Sequence, residues 1–264
     1  MILFPTLSFC CLLEFINSSR IFATFGLSVA KNTRVVRTKK ETSVSQFDEF
    51  GEIPQVRGAY AAVARARQVA VLNVLNGTLI GFGLRFPAGW KLKVNVQPVY
   101  PLISPKQHLL LTGIPADCRK VAKYAKQVAL NHTFEFGTTP SGKYVACKIG
   151  KYLSSFTIGG TRPLASECFV ITCNIGNVEP FEIHNINTAG LVTEVYCGVA
   201  GQKSKEANLL LEQQYSRNMT VDEGKQLIKQ MFEIGKQPEI DKDQNETESI
   251  QTYNTIFLRI PKIE

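Results

Sequence analysis

The most restrictive stretch of this chain is a pair of β-prone runs, residues 69–75 and 78–86, that meet across Asn76-Gly77. That dipeptide is favoured where both turn residues need positive φ, so an antiparallel hairpin is predicted. Further β-prone runs follow at 91–99 and 109–112, with Pro98, Pro101 and Pro105 marking the breaks between them. Just ahead of the hairpin, the alanine-rich residues 59–66 form a good short helix.

Two helices are predicted next. The first carries Ile114, Cys118, Val121, Ala122, Ala125, Val128 and Ala129 on one face, with Arg119, Lys123 and Lys126 on a solvated one. The second spans 142–156, with Val145, Ile149, Tyr152, Leu153 and Phe156 at helical spacing. Two helices directly after four strands are expected to stack together against the sheet. Strands return at 167–173, 180–184 and 191–199, with Asn187-Thr188-Ala189-Gly190 as a turn. A helix at 203–215 comes next, then one opened by the capping box Thr220-Val221-Asp222-Glu223 and carrying Leu227, Ile228, Met231 and Ile234. An acidic loop at 236–249 and a strand at 253–260 complete the order. The fold class is α+β, two antiparallel sheets sandwiched between helical layers.

With 264 residues, 44% of them hydrophobic, the chain can bury a substantial core. Of its net charge of +8, five charges sit in one acid-free stretch at Lys31, Arg34, Arg37, Lys39 and Lys40. A solvated basic segment accounts for that, and no nucleic-acid partner is expected. Seven cysteines without a CxxC read as reduced core thiols of a cytosolic or nuclear protein. Three dispersed histidines lack metal-ligand spacing, so neither metal nor cofactor is expected. Five Asn-x-Ser/Thr tripeptides carry meaning only in a secreted chain. Residues 1–18 are apolar, yet no basic residue precedes the run, and Pro5 and Glu14 interrupt it. The reading is an extension over 1–40, apolar then basic and poorly ordered, followed by one domain over 41–264, with no membrane partner.

Several local patterns, in this order, resemble proteasome subunits. Thr112-Gly113-Ile114-Pro115-Ala116-Asp117-Cys118-Arg119 is similar to that family's Gly-x-x-Ala-Asp-x-Arg helix entry, carried here by Gly113, Ala116, Asp117 and Arg119. Residues 131–137 (NHTFEFG) resemble the end of the same helix in alpha subunits. Arg162-Pro163-Leu164-Ala165 stands where alpha subunits have Arg-Pro-Phe-Gly, the hairpin at Gly190 resembles Asp-Pro-Ser-Gly, and the helix after Gly201 matches in spacing. The N-terminal signature of alpha subunits, Phe-Ser-Pro-x-Gly-x-Leu-x-Gln-Val-Glu-Tyr-Ala, is matched at Phe47, Gly51, Ile53, Gln55, Val56 and Ala59. It is broken at Asp48, Glu49, Arg57 and Gly58. Taken alone, each motif is ordinary capping and turn chemistry, with Asp117 opening a helix and Gly190 supplying positive φ.

The resemblance implies the proteasome-subunit (N-terminal-nucleophile hydrolase) fold and a divergent alpha-type subunit, type 3-like or type 2-like, of the 20S proteasome. Such a subunit is a non-catalytic structural and gating part of the outer seven-membered ring, which controls substrate entry for ubiquitin-dependent breakdown. The partners implied are other alpha subunits, beta subunits and activators, in cytoplasm and nucleus. An active beta subunit uses an N-terminal threonine tuned by an Asp and a Lys. Here Arg67 stands where the threonine would be and Gly83 where the acid would be. The activator-pocket lysine aligns near Val99, with Lys91 and Lys93 close by in sequence. Two alternatives remain: a threonine-type peptidase released at Gly77-Thr78, Gly137-Thr138 or Gly160-Thr161, and a secreted or membrane-tethered binding protein.

Overall fold

The computed structural model describes residues 47–75, 77–86, 98–104, 106–158, 161–173, 181–236 and 252–261. All belong to one unit bounded by Ser43–Glu264. The readings of the apolar and basic segments before residue 47, of the strand over 91–97 and of the acidic loop at 237–249 lie outside the described residues.

Helix α1, Pro54–Ala64, starts earlier than the alanine run suggests, because Pro54 sits in the first turn, where its missing N–H costs nothing. The hairpin follows as β1, Val69–Val74, and β2, Gly77–Phe86. Its register pairs Val74 with Gly77, so Gly77 is already strand rather than part of the expected Asn76-Gly77 turn. Burial dictates this choice: Val71 lies opposite Ile80, both facing the inter-sheet core, and a one-residue slip would turn one strand's apolar set to the wrong layer. Thr78 consolidates it by donating to the Asn73 side chain at 2.8 Å.

The remaining order is β3 (Val99–Pro101), β4 (Gln107–Gly113), α2 (Pro115–Phe136), α3 (Gly142–Ile158), β5 (Ser166–Cys173) and β6 (Phe181–Ile186). Then come β7 (Val192–Val195), β8 (Cys197–Ala200), α4 (Ser204–Gln214), α5 (Val221–Lys236) and β9 (Thr252–Pro261). The expected strand over 191–199 is in fact two: β7 pairs with β6, and after Tyr196 the chain crosses as β8 to pair with β1. The first sheet has the order β8-β1-β2-β9 and the second β3-β4-β5-β6-β7, with antiparallel pairings throughout.

Alternate residues of each strand send their side chains into two different cores. Val69, Val71, Ile80 and Phe82 meet Leu110, Phe169, Ile171 and Ile183 between the sheets. Ala70, Leu72 and Leu79 face Leu211, Leu227, Ile228 and Met231 of α4 and α5. Leu109, Leu111 and Val170 face Val121, Ala125, Ile149 and Leu153 of α2 and α3. The molecule is therefore an αββα sandwich, as the element order implied. Each fully buried side chain such as Phe82, Leu72 or Phe169 contributes about 1.5–3 kcal/mol. The capping box forms as expected: the Thr220 N–H donates to Glu223 at 2.8 Å, and the Glu223 N–H to the Thr220 hydroxyl at 3.4 Å.

Under the first turn of α3 lies a buried polar row. Gln107 donates to the Pro140 carbonyl, while Thr172 and His184 approach Gly142 so closely that a Cβ there would strike the Thr172 hydroxyl. Burial holds the His184 imidazole below its usual pKa, against the pull of Glu194 and Glu182 and together with the push of Lys143. A histidine depressed in the fold takes its proton first in the unfolded chain, so stability falls as pH drops below the ordinary value near 6.5. Urea midpoints measured from pH 7.5 down to pH 5 should decline less in His184→Gln than in the wild type, about 6.5 being where the curves part. Parallel curves would mean that the imidazole is not held neutral by the fold.

Candidate functional site

The signature residues before α1 form a closed turn. The Asp48 carboxylate accepts the N–H groups of Phe50 and Glu52 at 3.0 and 2.8 Å, and the Asp48 N–H donates to the Glu52 carbonyl at 2.8 Å. Gly51 completes the turn at φ +75°, a conformation that suits glycine. Arg57, one turn into α1, then bridges Asp48 at 3.3 Å and Glu52 at 3.2 Å. Asp48 and Arg57 are two of the four signature departures, and the structure makes them partners. Single-position reading missed this because the two changes compensate only when read together.

This turn and α1 form one wall of a largely apolar cavity of about 460 Å³. Phe47, Ile53, Val56 and Tyr60 stand on that side, with Thr157 at the end of α3 and Ala189 opposite. The Tyr60 hydroxyl bonds to the Ala189 backbone; burial outweighs that bond and keeps its pKa raised. Ala189 is held in turn by Asn187, whose side chain accepts the N–H groups of Ala189 and Leu191 at 3.1 and 2.9 Å. Gly190, at φ +89°, lies directly on the backbone of Gly150 in α3, where a side chain on either residue would collide.

The two central motifs meet. Asp117 is not the cap of α2, since Ile114 holds that position and makes no side-chain cap bond. It is 4% exposed and grips Arg162 with both oxygens, at 2.7 and 2.8 Å, while also accepting the Ala165 N–H at 2.9 Å. Burial pulls the Asp117 pKa upward, but the Arg162 and Ala165 hydrogen bonds outweigh it and leave the carboxyl below its usual range. Gly113 lies so close to Ala165 that a Cβ would overlap its carbonyl, and the Ile114 N–H donates to that carbonyl at 2.9 Å. Ala59 and Val63 of α1 pack on Ala165 from the other side. Thus Ala59, Gly113, Asp117, Arg162 and Pro163 gather around one short segment. Ala116 and Arg119 point outward from α2, apart from this cluster. Gln55 and Val56 are half-buried beneath the signature turn.

Arg67 precedes β1, and Gly83 lies beside it across the hairpin, its N–H donating to the Gln68 carbonyl at 3.1 Å. The Arg67 carbonyl accepts the Thr112 hydroxyl and is crowded by Gly201, which stands at φ +97°. This junction therefore presents backbone already engaged, a half-buried guanidinium, and no carboxylate at Gly83. Burial pushes the Cys118 thiol nearby up to about 11, which keeps it protonated and poorly nucleophilic. Among the described residues no group of three His, Cys, Asp or Glu side chains could hold a metal ion, and no helix is long and apolar enough to cross a membrane. Val99 opens β3, while Lys91 and Lys93 lie outside the described residues.

A family model described as proteasome subunit matches residues 76–250. The chain belongs to the proteasome subunit family. Its curated relatives include proteasome subunit alpha type-5 of Trypanosoma brucei brucei, 23% identical over 74% of this chain and 80% of that one. Others are the proteasome subunit alpha of Methanococcus maripaludis (strain C7), 24% identical over 78% of this chain and 77% of the relative, and that of Methanopyrus kandleri, 22% identical over 76% and 81%. The chain is a divergent alpha-type member; these relatives do not bear on the type 3 or type 2 position.

The Asp117 grip is the energetic centre of the motif cluster. Asp117→Ala should destabilise by about 2–3 kcal/mol, since it strips partners from Arg162 and the buried Ala165 N–H. Arg162→Ala should cost as much, about 2–3 kcal/mol, because it leaves the buried Asp117 carboxylate with only the Ala165 N–H of its three hydrogen bonds. Urea unfolding of both variants and of the double variant checks this, the double being no worse than Asp117→Ala alone.

Proposed function

We propose that this chain is a non-catalytic subunit of the outer alpha ring of the 20S proteasome. In this reading it sits side by side with other alpha subunits on a beta ring and helps control substrate entry for ubiquitin-dependent breakdown, in cytoplasm and nucleus. Proteasome activators would dock on the ring it helps to form. The observation that carries the non-catalytic part is the junction before β1. There Arg67 is joined without interruption to α1, its carbonyl is used by Thr112, and Gly83 supplies no acid. An N-terminal threonine nucleophile with a free α-amine needs the opposite arrangement.

Support for gating comes from the closed turn at residues 48–52, which Arg57 locks to α1. A turn fixed in this way sets the direction in which the preceding chain leaves the domain. The Asp48–Arg57 pair then serves where the usual signature residues are missing.

Two measurements test these parts separately. N-terminal mapping of the chain recovered from the native particle should find a start upstream of Arg67; a mature chain beginning at Thr78 would overturn the non-catalytic assignment. In particles carrying Arg57→Ala, basal hydrolysis of a small fluorogenic peptide should rise about threefold, the effect of losing exposed ion pairs each worth less than about 1 kcal/mol. Unchanged hydrolysis in particles of normal composition would count against the gating role of the turn.

A further inference from the structure

Eight tyrosines are distributed along the chain, and two of them meet ring on ring. Tyr124, near the middle of α2, and Tyr152, in α3, are stacked with centroids 3.9 Å apart and planes within 9° of parallel. Among the described residues no other tyrosine is stacked on a tyrosine. The backbone under the pair is anchored, since Val121 and Ala125 on one helix and Ile149 and Leu153 on the other are fully buried in the same core. From the side, Phe156 packs edge-on against Tyr152 at 5.0 Å, and Lys120 lies over the Phe156 ring. Both tyrosines are half-buried. Burial, and after it Tyr124, pushes the Tyr152 pKa up, so its phenol is protonated at neutral pH.

We propose that Tyr124 and Tyr152 form a site of oxidative modification, at which a small one-electron oxidant of the carbonate-radical or nitrogen-dioxide class joins the two rings as dityrosine and staples α2 to α3. Each phenol gives one electron to an oxidant molecule and one proton to water. The two phenoxyl radicals then pair their odd electrons in a single C–C bond between ring carbons ortho to the oxygens. The hydrogens on those two carbons shift to the oxygens, which restores both aromatic rings and both hydroxyls. In sum, two oxidant molecules are reduced, and the chain loses two electrons and two protons. Geometry favours this outcome over other fates of a tyrosyl radical. The half-filled orbital at an ortho carbon points along the ring normal, so the new bond grows from face to face. The parallel stack offers that approach, at a separation close to the near-attack distance of about 3–3.5 Å. An edge-on contact, such as that of Tyr144 with His132, does not. Half-burial lets the electron and proton leave while keeping the partner ring in place. The link closes the loop between the two helices and so removes freedom from the unfolded chain.

The site lies within one chain, so the test needs no other subunit and is independent of the alpha-ring reading. The dilute full-length chain is treated with peroxynitrite in bicarbonate buffer, a source of both radicals, and followed by dityrosine fluorescence and mass spectrometry. The expected product is a single chain lighter by two hydrogen atoms, whose digest holds one cross-linked pair containing Tyr124 and Tyr152. Y124F and Y152F keep a ring at each position but remove one phenol. Either should lower the within-chain product by at least about tenfold, while Y144F leaves it unchanged. Dityrosine at wild-type yield in Y124F or Y152F would overturn the proposal. So would dityrosine found only between two chains, or nitration of these rings without a cross-link. The cross-linked chain, separated from the unreacted one, should unfold at a higher urea concentration; an unchanged midpoint would overturn the stapling of α2 to α3.

Discussion

Everything near the N-terminal end of the sandwich depends on one buried carboxylate. Asp117 sits where a helix start would tolerate it electrostatically, yet it is turned inward, where an unpaired charge would be costly. Three hydrogen bonds, two from Arg162 and one from the Ala165 N–H, settle that cost. The settlement fixes geometry: it ties the first turn of α2 to the segment entering β5, brings the Ala165 carbonyl to the Ile114 N–H, and leaves Gly113 no room for a side chain. Because α1 rests on Ala165 through Ala59 and Val63, the position of the signature helix follows from the same contact.

Around that point the layers divide the work. The inter-sheet core uses alternate residues of β1, β2, β5 and β6, and the opposite faces of those strands feed the two helical layers. At one end of this sandwich Gly150 and Gly190 allow the β6–β7 hairpin to lie on α3 and carry Ala189 under Tyr60. The cavity beneath the signature turn is a consequence of these end contacts rather than of the core.

Much of this was legible in the sequence, because local patterns and layer burial agree. Apolar positions on α2 and α3 at helical spacing marked their buried faces, and the capping box at Thr220 formed with its expected partners. Three features were not legible, each for the same reason: they are decided by tertiary contacts. The hairpin register follows from which layer Val71 and Ile80 must face, against the turn preference of Asn76-Gly77. The run 191–199 reads as one strand because nothing local reports that its halves belong to different sheets. Asp117 reads as a cap in isolation, and only its meeting with a residue 45 positions later reveals the staple. The pairing of Asp48 with Arg57 was within reach, since the two departures are of opposite sign and lie on either side of one turn.

Membership of the family and the fold are shared by subunits that cut and subunits that do not, so the claim that matters most is where this chain stands in a particle. Cryo-electron microscopy of particles purified through a C-terminal tag on this chain tests it most directly. The expected result is density for the chain in an outer ring of alpha subunits, with α1 continuous into β1 through Arg67. Density in an inner ring with a free N-terminus at the head of β1, or a chain recovered without other proteasome subunits, would contradict it.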